Sequence, residues 1–385
     1  MKNFVEIHVL QNFAPSNLNR DDTGAPKDAF FGGSRRARIS SQCIKHAVRE
    51  YFKTKKELLD ANAIASRTKR VQDELIKSLK EKGRDGKEAL VKIQIALKSV
   101  SLVIKDDGKT EYLLFLGKEE ISKLSELINE HWDKIIPPEN NNESAGKKKK
   151  KKAKEADAIP DEIRPAIKKV FDGGKAVDIA LFGRMLADMP EKNQYASSQV
   201  AHAISTHAVT REFDFYTALD DLKPEESSGS DMMGTVEFNS ACFYKYAVVD
   251  YEKLIENLQK DKELAEKGCR AFLEGFIVAE PSGKQNSFAA HNPPEVIIIS
   301  VRKEGSPRNL ANAFEVPVKV KGSESLTLES VKKLADKEKQ LSSIYGSAGK
   351  SFYIDSADSG VLHGERKNSL TELLDAVMKT LTEEG

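Results

Sequence analysis

Hydrophobic and polar residues alternate from residue 4 to residue 10. Val5, Ile7 and Val9 point to one side and Phe4, Glu6, His8 and Leu10 to the other, which predicts a half-buried opening strand. A turn-rich loop follows, with Pro15, Ser16 and Asn17 and then residues 21–26. It runs to Gly32-Gly33 and a basic cluster, before Ser40 or Ser41 caps a helix. On that helix Cys43, Ile44, Ala47, Val48, Tyr51 and Phe52 form an apolar stripe, while Gln42, Lys45 and Arg49 share another face.

From residue 57 to 135 the period becomes helical (Val71, Leu75, Leu79; Leu90, Ile93, Leu97; Ile121, Leu124, Leu127). A hairpin-like stretch interrupts it at Asp106-Asp107-Gly108. This interval reads as an inserted helical subdomain. Residues 138–158 contain Asn140-Asn141-Asn142 and a lysine run, a composition unable to bury a core and expected to be disordered. Strand-like runs return at residues 177–182, 200–209, 235–249 and 296–301, with a helical pattern at 251–276 between the last two. The order suits an α+β domain, a sheet with helices on one face, of split ferredoxin-like or RNA-recognition-type architecture. Between two strand runs, the polar stretch 224–234 suits an extended hairpin or flexible tongue. No internal repeat is present.

Composition changes this picture little. With 61 basic and 60 acidic residues the chain is nearly neutral, so any nucleic-acid argument rests on local charge. Such charge exists: between Gly33 and Tyr51, Arg35, Arg36, Arg38, Lys45 and Arg49 face only Glu50. Cys43, Cys242 and Cys269 are odd in number and widely spaced, which indicates neither a disulfide framework nor a cysteine zinc site and suits a reducing cytosol. No signal-peptide core or membrane-length apolar run is present, so a soluble, cytoplasmic protein is expected.

Searches for catalytic chemistry return little. Ser282-Gly283-Lys284-Gln285 fails as a phosphate-binding loop, because Val278 stands where a glycine is needed. His202 and His207, five apart in a strand-like run, would point to opposite faces, so ordinary polar or core histidines are expected rather than metal ligands. Asp21-Asp22 and Asp220-Asp221 are carboxylate pairs of the kind that hold magnesium, yet adjacent acids more commonly serve as loop charges or ion-pair partners. No nucleophile, base and orienting group emerge together. No cofactor, metal or catalytic residue is expected.

The segment FVEIHVLQNFAPSNLNRDDTGAPKDAFFGGSRRARISSQCIKHAVR, residues 4–49, resembles the backbone subunit of the type I-E CRISPR Cascade complex, the CasC family. Further similar blocks are VDIALFGRM at 177–185, VAHAISTHAV at 200–209, FYTALDDL at 215–222, GTVEFNSACFYKYA at 234–247 and NLANAFE at 309–315. The resemblance implies a hand-like protein. Its RNA-recognition-like palm would comprise residues 1–57 and 177–385, its helical fingers 58–176, and its thumb hairpin 193–236. It implies a non-catalytic subunit that stacks head to tail with copies of itself along a guide RNA, beside capping Cascade subunits. Each thumb would kink out a base and leave the others to pair with target DNA in antiviral defence.

A protein that must hold any guide sequence should take the phosphate backbone and leave base edges free. Arg20, Lys27, Arg35, Arg36, Arg38, Lys45 and Arg49 suit phosphates; Ser40 and Gln42 add neutral donors at a helix N-terminus. Ordinary surface ion pairs with Asp21, Asp22, Asp28 or Glu50 are the competing role for some of the arginines. His46 stands where the family often has another arginine. Phe215, Tyr216, Met232 and Met233 are the candidates for displacing a base, and Met185 is similar in place to a methionine of the family's fingers. If the thumb segment is a strand, one of the adjacent Phe215 and Tyr216 should face a core. The lysine run at 147–152 is foreign to the family pattern and is read either as a solvated loop or as a tether for duplex DNA. The alternative function is a guide-bound subunit that also cleaves target RNA through a metal-dependent Asp22 or Asp28; a third is an RNA-independent structural filament.

Overall fold

The structure, a computed structural model, describes residues 3–55, 57–136, 159–160, 162–218, 232–347 and 349–382, with Met232 described by its backbone alone. The lysine run, Asp220-Asp221 and most of the 224–234 stretch lie outside these residues. The chain forms two compact units, residues 1–55, 198–252 and 269–385 in the first, residues 56–197 and 253–268 in the second. The second unit therefore takes in 177–197 and 253–268, both expected in the palm.

The opening strand, β1 (Phe4–Ser16), is longer than its alternating pattern and is buried on both faces. It is central in its sheet, between the antiparallel strands β9 (Met232–Asp250) and β10 (Val296–Arg302). Burial of Glu6 and His8 corrects the half-buried expectation, and each has a partner that makes it tolerable. Glu6 accepts from Arg302 Nε at 2.6 Å and from the Tyr246 hydroxyl at 3.0 Å, while His8 Nδ1 lies 2.9 Å from the Tyr244 hydroxyl.

Along the sheet the order is β12 (Glu365–Arg366), β11 (Lys350–Asp355), β10, β1, β9, β7 (Ala203–Ser205), β3 (Ser34–Ile39), β2 (Asp28–Phe31), with β6 (Ser198–Val200) and β8 (Glu212–Ala218) paired to other parts of β9. On one face Leu10, Tyr244, Tyr246 and Ile298 pack with Phe314, Val331 and Leu334. Val331 and Leu334 belong to the long helix α10 (Leu326–Tyr345), which follows the short helix α9 (Gln285–Phe288) along the chain. On the other face Lys245, sharing Val9's side of the sheet, has its ammonium 5.2 Å from the Phe276 ring of α8 (Lys262–Val278). In turn Gly275 of α8 sits against Val48 and Tyr51 of α1 (Ser41–Thr54), and α11 (Leu370–Thr382) lies along β10 and β11. Helices thus cover both faces, not one as expected.

Arg35, Arg36 and Arg38 of the basic cluster lie on strand β3, and Lys45 and Arg49 lie on α1 (Ser41–Thr54). Gly32 and Gly33 have φ of +57° and +74°, the signature of a two-residue hairpin turn that only glycine adopts without strain, and they join β2 to β3. Residues 177–182, read as a strand, form the short helix α6 (Val177–Phe182). With Val177, Asp178, Ile179, Ala180 and Leu181 all buried, the segment has almost no solvent face to reveal its period. Residues 200–209 break into β6 and β7, and the helical pattern at 251–276 becomes α7 (Tyr251–Asn257) and α8, parted where Gln259 and Lys260 both take positive φ.

The second unit holds α2 (Val71–Glu81), α3 (Gly86–Ser99), α4 (Lys118–Glu130) and α5 (Ile163–Val170) around Leu75, Ile93, Leu97, Leu124, Trp132 and Ile167. A two-stranded ribbon, β4 (Ser66–Thr68) and β5 (Leu114–Leu116), and a bridge from Ile104 to Thr110 at the Asp106-Asp107-Gly108 turn complete it. Its buried ion pair joins Arg184 Nη1 to Glu120 at 2.8 Å, with the amides of Gly117 and Gly173 also donating to that carboxylate. Among the described residues no helix is long and apolar enough to cross a membrane. All three cysteines are free thiols.

Candidate nucleic-acid interface

Three backbone contacts and one side-chain hydrogen bond gather the charged residues of the N-terminal segment. Asn19 O accepts from Lys27 N at 2.8 Å and Lys27 O accepts from Arg38 N at 2.9 Å, which folds the 17–27 loop along β3. Asn19 Oδ1 accepts from Ser40 N at 2.9 Å, and Arg20 bridges to Pro26, tying the same loop to the start of α1. Arg20, Lys27 and Arg38 are thereby drawn together toward the positive end of a 14-residue helix.

Ser40 is the cap, as the sequence suggested. Its hydroxyl oxygen accepts from Cys43 N at 3.3 Å, and the residue is buried. Beyond the cap, Ser41 is half-buried and Gln42 is exposed, so the first turn of the helix reaches the surface at Gln42. Along the face shared by Gln42, Lys45 and Arg49 exposure falls from exposed through half-buried to buried, so this face is open at its N-terminal end. His46 is exposed, 4.0 Å from Glu50, whose carboxylate is mainly held by Lys53 at 2.6 Å.

Arg36 corrects the sequence reading. Its side chain is fully buried, donating to the carbonyl oxygens of Ser205, Phe314 and Glu315 at 3.1, 2.8 and 3.2 Å. It fastens β3 to a distant loop and is not a surface cation. Arg35 is exposed but paired with Asp28, the ordinary ion-pair role foreseen for some arginines; Arg38 is half-buried and donates from Nε to Asp28 O at 3.1 Å.

Two participants escaped the sequence reading. His202 Nδ1 accepts from Ser41 N at 2.9 Å, so a neutral imidazole takes one of the helix's free amides. Burial, then the charges of Arg38 and Lys27, push its pKa down and keep it an acceptor. Arg211 donates to Asp28 Oδ2 at 2.8 Å and to Glu237 Oε2 at 3.0 Å, joining β2 to the base of the β8–β9 pair. The partner of His202 lies 161 positions away, and no local pattern could have shown it. His207 is an ordinary internal histidine whose Nε2 accepts from Cys242 N.

β8 and β9 pair antiparallel from Glu212↔Phe238 to Ala218↔Met232. Every residue of β8 is exposed, so neither Phe215 nor Tyr216 faces a core, contrary to expectation. Alternation puts Phe213 and Phe215 on one face, where Met233 and Thr235 join them as cross-strand neighbours. Phe215 is 62% and Met233 67% exposed. Tyr216, on the other face, lies over Gly234, where a Cβ would come within 2.5 Å of its ring and hydroxyl. The side chain of Met232 lies outside the described residues. Met185, in the second unit, is 77% exposed.

Beside the loop opens a cleft of about 540 Å³ lined by Arg20, Asp22, His46, Glu50 and Glu280. Among the described residues no three His, Cys, Asp or Glu side chains are grouped to hold a metal ion.

A family model described as CT1975-like protein matches residues 5–380. The chain belongs to the CT1975-like family. It is similar to a chain of a solved "CRISPR RNA-guided surveillance complex, pre-nicking", at 32% identity and a TM-score of 0.83, covering 98% of this chain and 99% of that one. A chain of a second "CRISPR RNA-guided surveillance complex" is 28% identical with a TM-score of 0.73 and the same coverage. No curated protein matches. CT1975-like membership and both likenesses bear out the resemblance to a Cascade backbone subunit read from the sequence.

Proposed function

We propose that this chain is the non-catalytic backbone subunit of a type I-E Cascade complex, a subunit that grips guide RNA by its phosphates and repeats head to tail along it. The observation that carries this reading is the convergence of Arg20, Lys27, Arg38 and the α1 N-terminus on one surface of a chain similar over its whole length to subunits of RNA-guided surveillance complexes. Cations and the positive end of a helix favour any phosphate and read no base, as a guide-independent grip requires. The antiparallel order β10, β1, β9, β7, with α1 following β1 and α8 between β9 and β10, supports an RNA-recognition-like palm. The β8–β9 pair, with Phe213, Phe215 and Met233 bare to solvent, suits a thumb whose apolar side chains displace a base, and the second unit suits the fingers. Target DNA would then pair with the remaining bases.

The reading in which Asp28 cleaves target RNA finds less support, since its carboxylate is shared by Arg35 and Arg211. A metal would have to displace both guanidinium groups. Native mass spectrometry of the chain with its partner subunits on guides of increasing length tests the proposal. Copies should be added in regular steps as the RNA lengthens, with no magnesium-dependent cleavage of a paired RNA by wild type, Asp22→Ala or Asp28→Ala. A fixed copy number at every length would contradict the repeating grip.

A further inference from the structure

Phe30 plays no part in the phosphate grip and is nonetheless 73% exposed on β2, the last strand of the sheet. Its neighbour Phe31 is half-buried, with the buried Arg36 guanidinium 5.8 Å from its ring. The cross-strand partner of Phe30 is Arg35, whose guanidinium carbon lies 5.2 Å from the ring centroid. A cation at that distance is attracted to the ring's electron-rich face and steadies a side chain that nothing else buries.

We propose that Phe30, braced by Arg35, is a stacking site for one nucleobase of the bound RNA, beyond the phosphate contacts; the proposal rests on the RNA-binding reading above. Its surroundings select the ligand. Asp28, on the same face of the hairpin, is neutralised by Arg35 and Arg211 and presents no free negative charge to a phosphate. Arg211 also bonds Glu237, the cross-strand partner of Phe213, so the surface passes from the hairpin to the aromatic face of the β8–β9 pair. Along it exposed rings flank the ion-paired guanidinium groups: Phe215 and Phe213, then Arg211 and Arg35, then Phe30. Single-stranded nucleic acid offers planar bases that stack on exposed rings whatever their sequence. A protein partner would also cover the rings, but its binding would not distinguish intact from abasic RNA.

The test compares wild type, Phe30→Ala, Phe30→Leu and Phe30→Trp on guide-length RNA and on the same RNA with abasic sites. With the exposed ring removed, the fold is undisturbed, and circular dichroism checks this. On intact RNA the alanine and leucine variants should each bind at least about fivefold more weakly, the scale of one lost base–aromatic stack. Tryptophan should restore the affinity, and the salt dependence should stay unchanged, since no charge is removed. On abasic RNA the four proteins should bind alike. Equal losses on intact and abasic RNA, or weakened self-association of the RNA-free variants, would overturn the stacking site. Failure of wild type to bind either RNA would overturn the RNA-binding reading itself.

Discussion

Arg211 holds Asp28 across the base of the β8–β9 pair, Nη2 to Oδ2 at 2.8 Å, while its other terminal nitrogen reaches Glu237. One guanidinium thereby joins the edge hairpin to a pair of strands that has almost no core of its own. The side chains involved are about three-quarters covered, so the link should be worth more than an open surface bridge. Arg211→Gln is expected to cost about 1 kcal/mol of stability in urea titration. The larger signal should be local, with backbone amides of β8 exchanging hydrogen faster while those of β1 and β10 are unaffected. Unchanged exchange in β8 would mean that the strand pair is fixed by other contacts.

Gly32 shows how closely the same hairpin is docked. A Cβ there would lie 1.7 Å from Glu315 O, and its φ is already one that other residues resist. Gly32→Ala should destabilise the protein by more than about 2 kcal/mol, from left-handed strain and displacement of the hairpin together. Gly33→Ala meets no atom within 4 Å and should cost about 1 kcal/mol, the conformational part alone. Comparable melting temperatures for the two variants would argue against the docked turn.

These two relationships mark what the sequence could and could not reveal. The alternation at residues 4–10 made β1 plain, and Ser40 was legible as a cap because capping chemistry is local. Burial of β1 on both faces was hidden, since Glu6 and His8 look like a solvent face until Arg302, Tyr246 and Tyr244 are brought to them. The same blindness misassigned Arg36, whose acceptors lie about 170 and 280 residues away, while its neighbours Arg35 and Arg38 keep some exposure. Helix α6 reads as a strand because, buried from Val177 to Leu181, it shows almost no alternation of buried and exposed positions.

Arg36 permits a test of that correction. Removing it leaves three carbonyl oxygens without their donors, so Arg36→Met should lower stability by roughly 2–4 kcal/mol. The fraction that remains folded should bind RNA with the wild-type salt dependence. A shallower salt slope at full stability would return Arg36 to the list of phosphate contacts.

Two buried bases set a pH response. Lys245 has its ammonium 3.0 Å from Gln11 Oε1 and over the Phe276 ring, and burial pushes its pKa down from 10.5 to about 7. Burial likewise pushes His8 down from 6.5 to about 4, partly opposed by Glu6. In each case the folded value lies below the unfolded one, so across the interval between them the unfolded chain carries the additional proton. Stability contributed by each group must therefore rise with pH, from about 4 to 6.5 for His8 and from about 7 to 10.5 for Lys245. Urea titrations from pH 7 to 10 should show that rise, and Lys245→Met should flatten it while stabilising the protein at pH 7. A wild-type profile that is flat or falling over pH 7–9 would place the Lys245 ammonium in better-solvated surroundings.

The central claim is a phosphate grip by Arg20, Lys27 and the start of α1, and the salt dependence of RNA binding tests it most directly. Affinity for two guide-length RNAs of unrelated sequence would be measured from low to moderate salt, for wild type and for Arg20→Ala/Lys27→Ala. The account predicts equal affinities for the two sequences. It also predicts a log–log slope shallower by about 0.7 for each phosphate contact removed, roughly 1.4 in the double variant. A slope unchanged by the substitutions, or strong preference for one sequence, would contradict it.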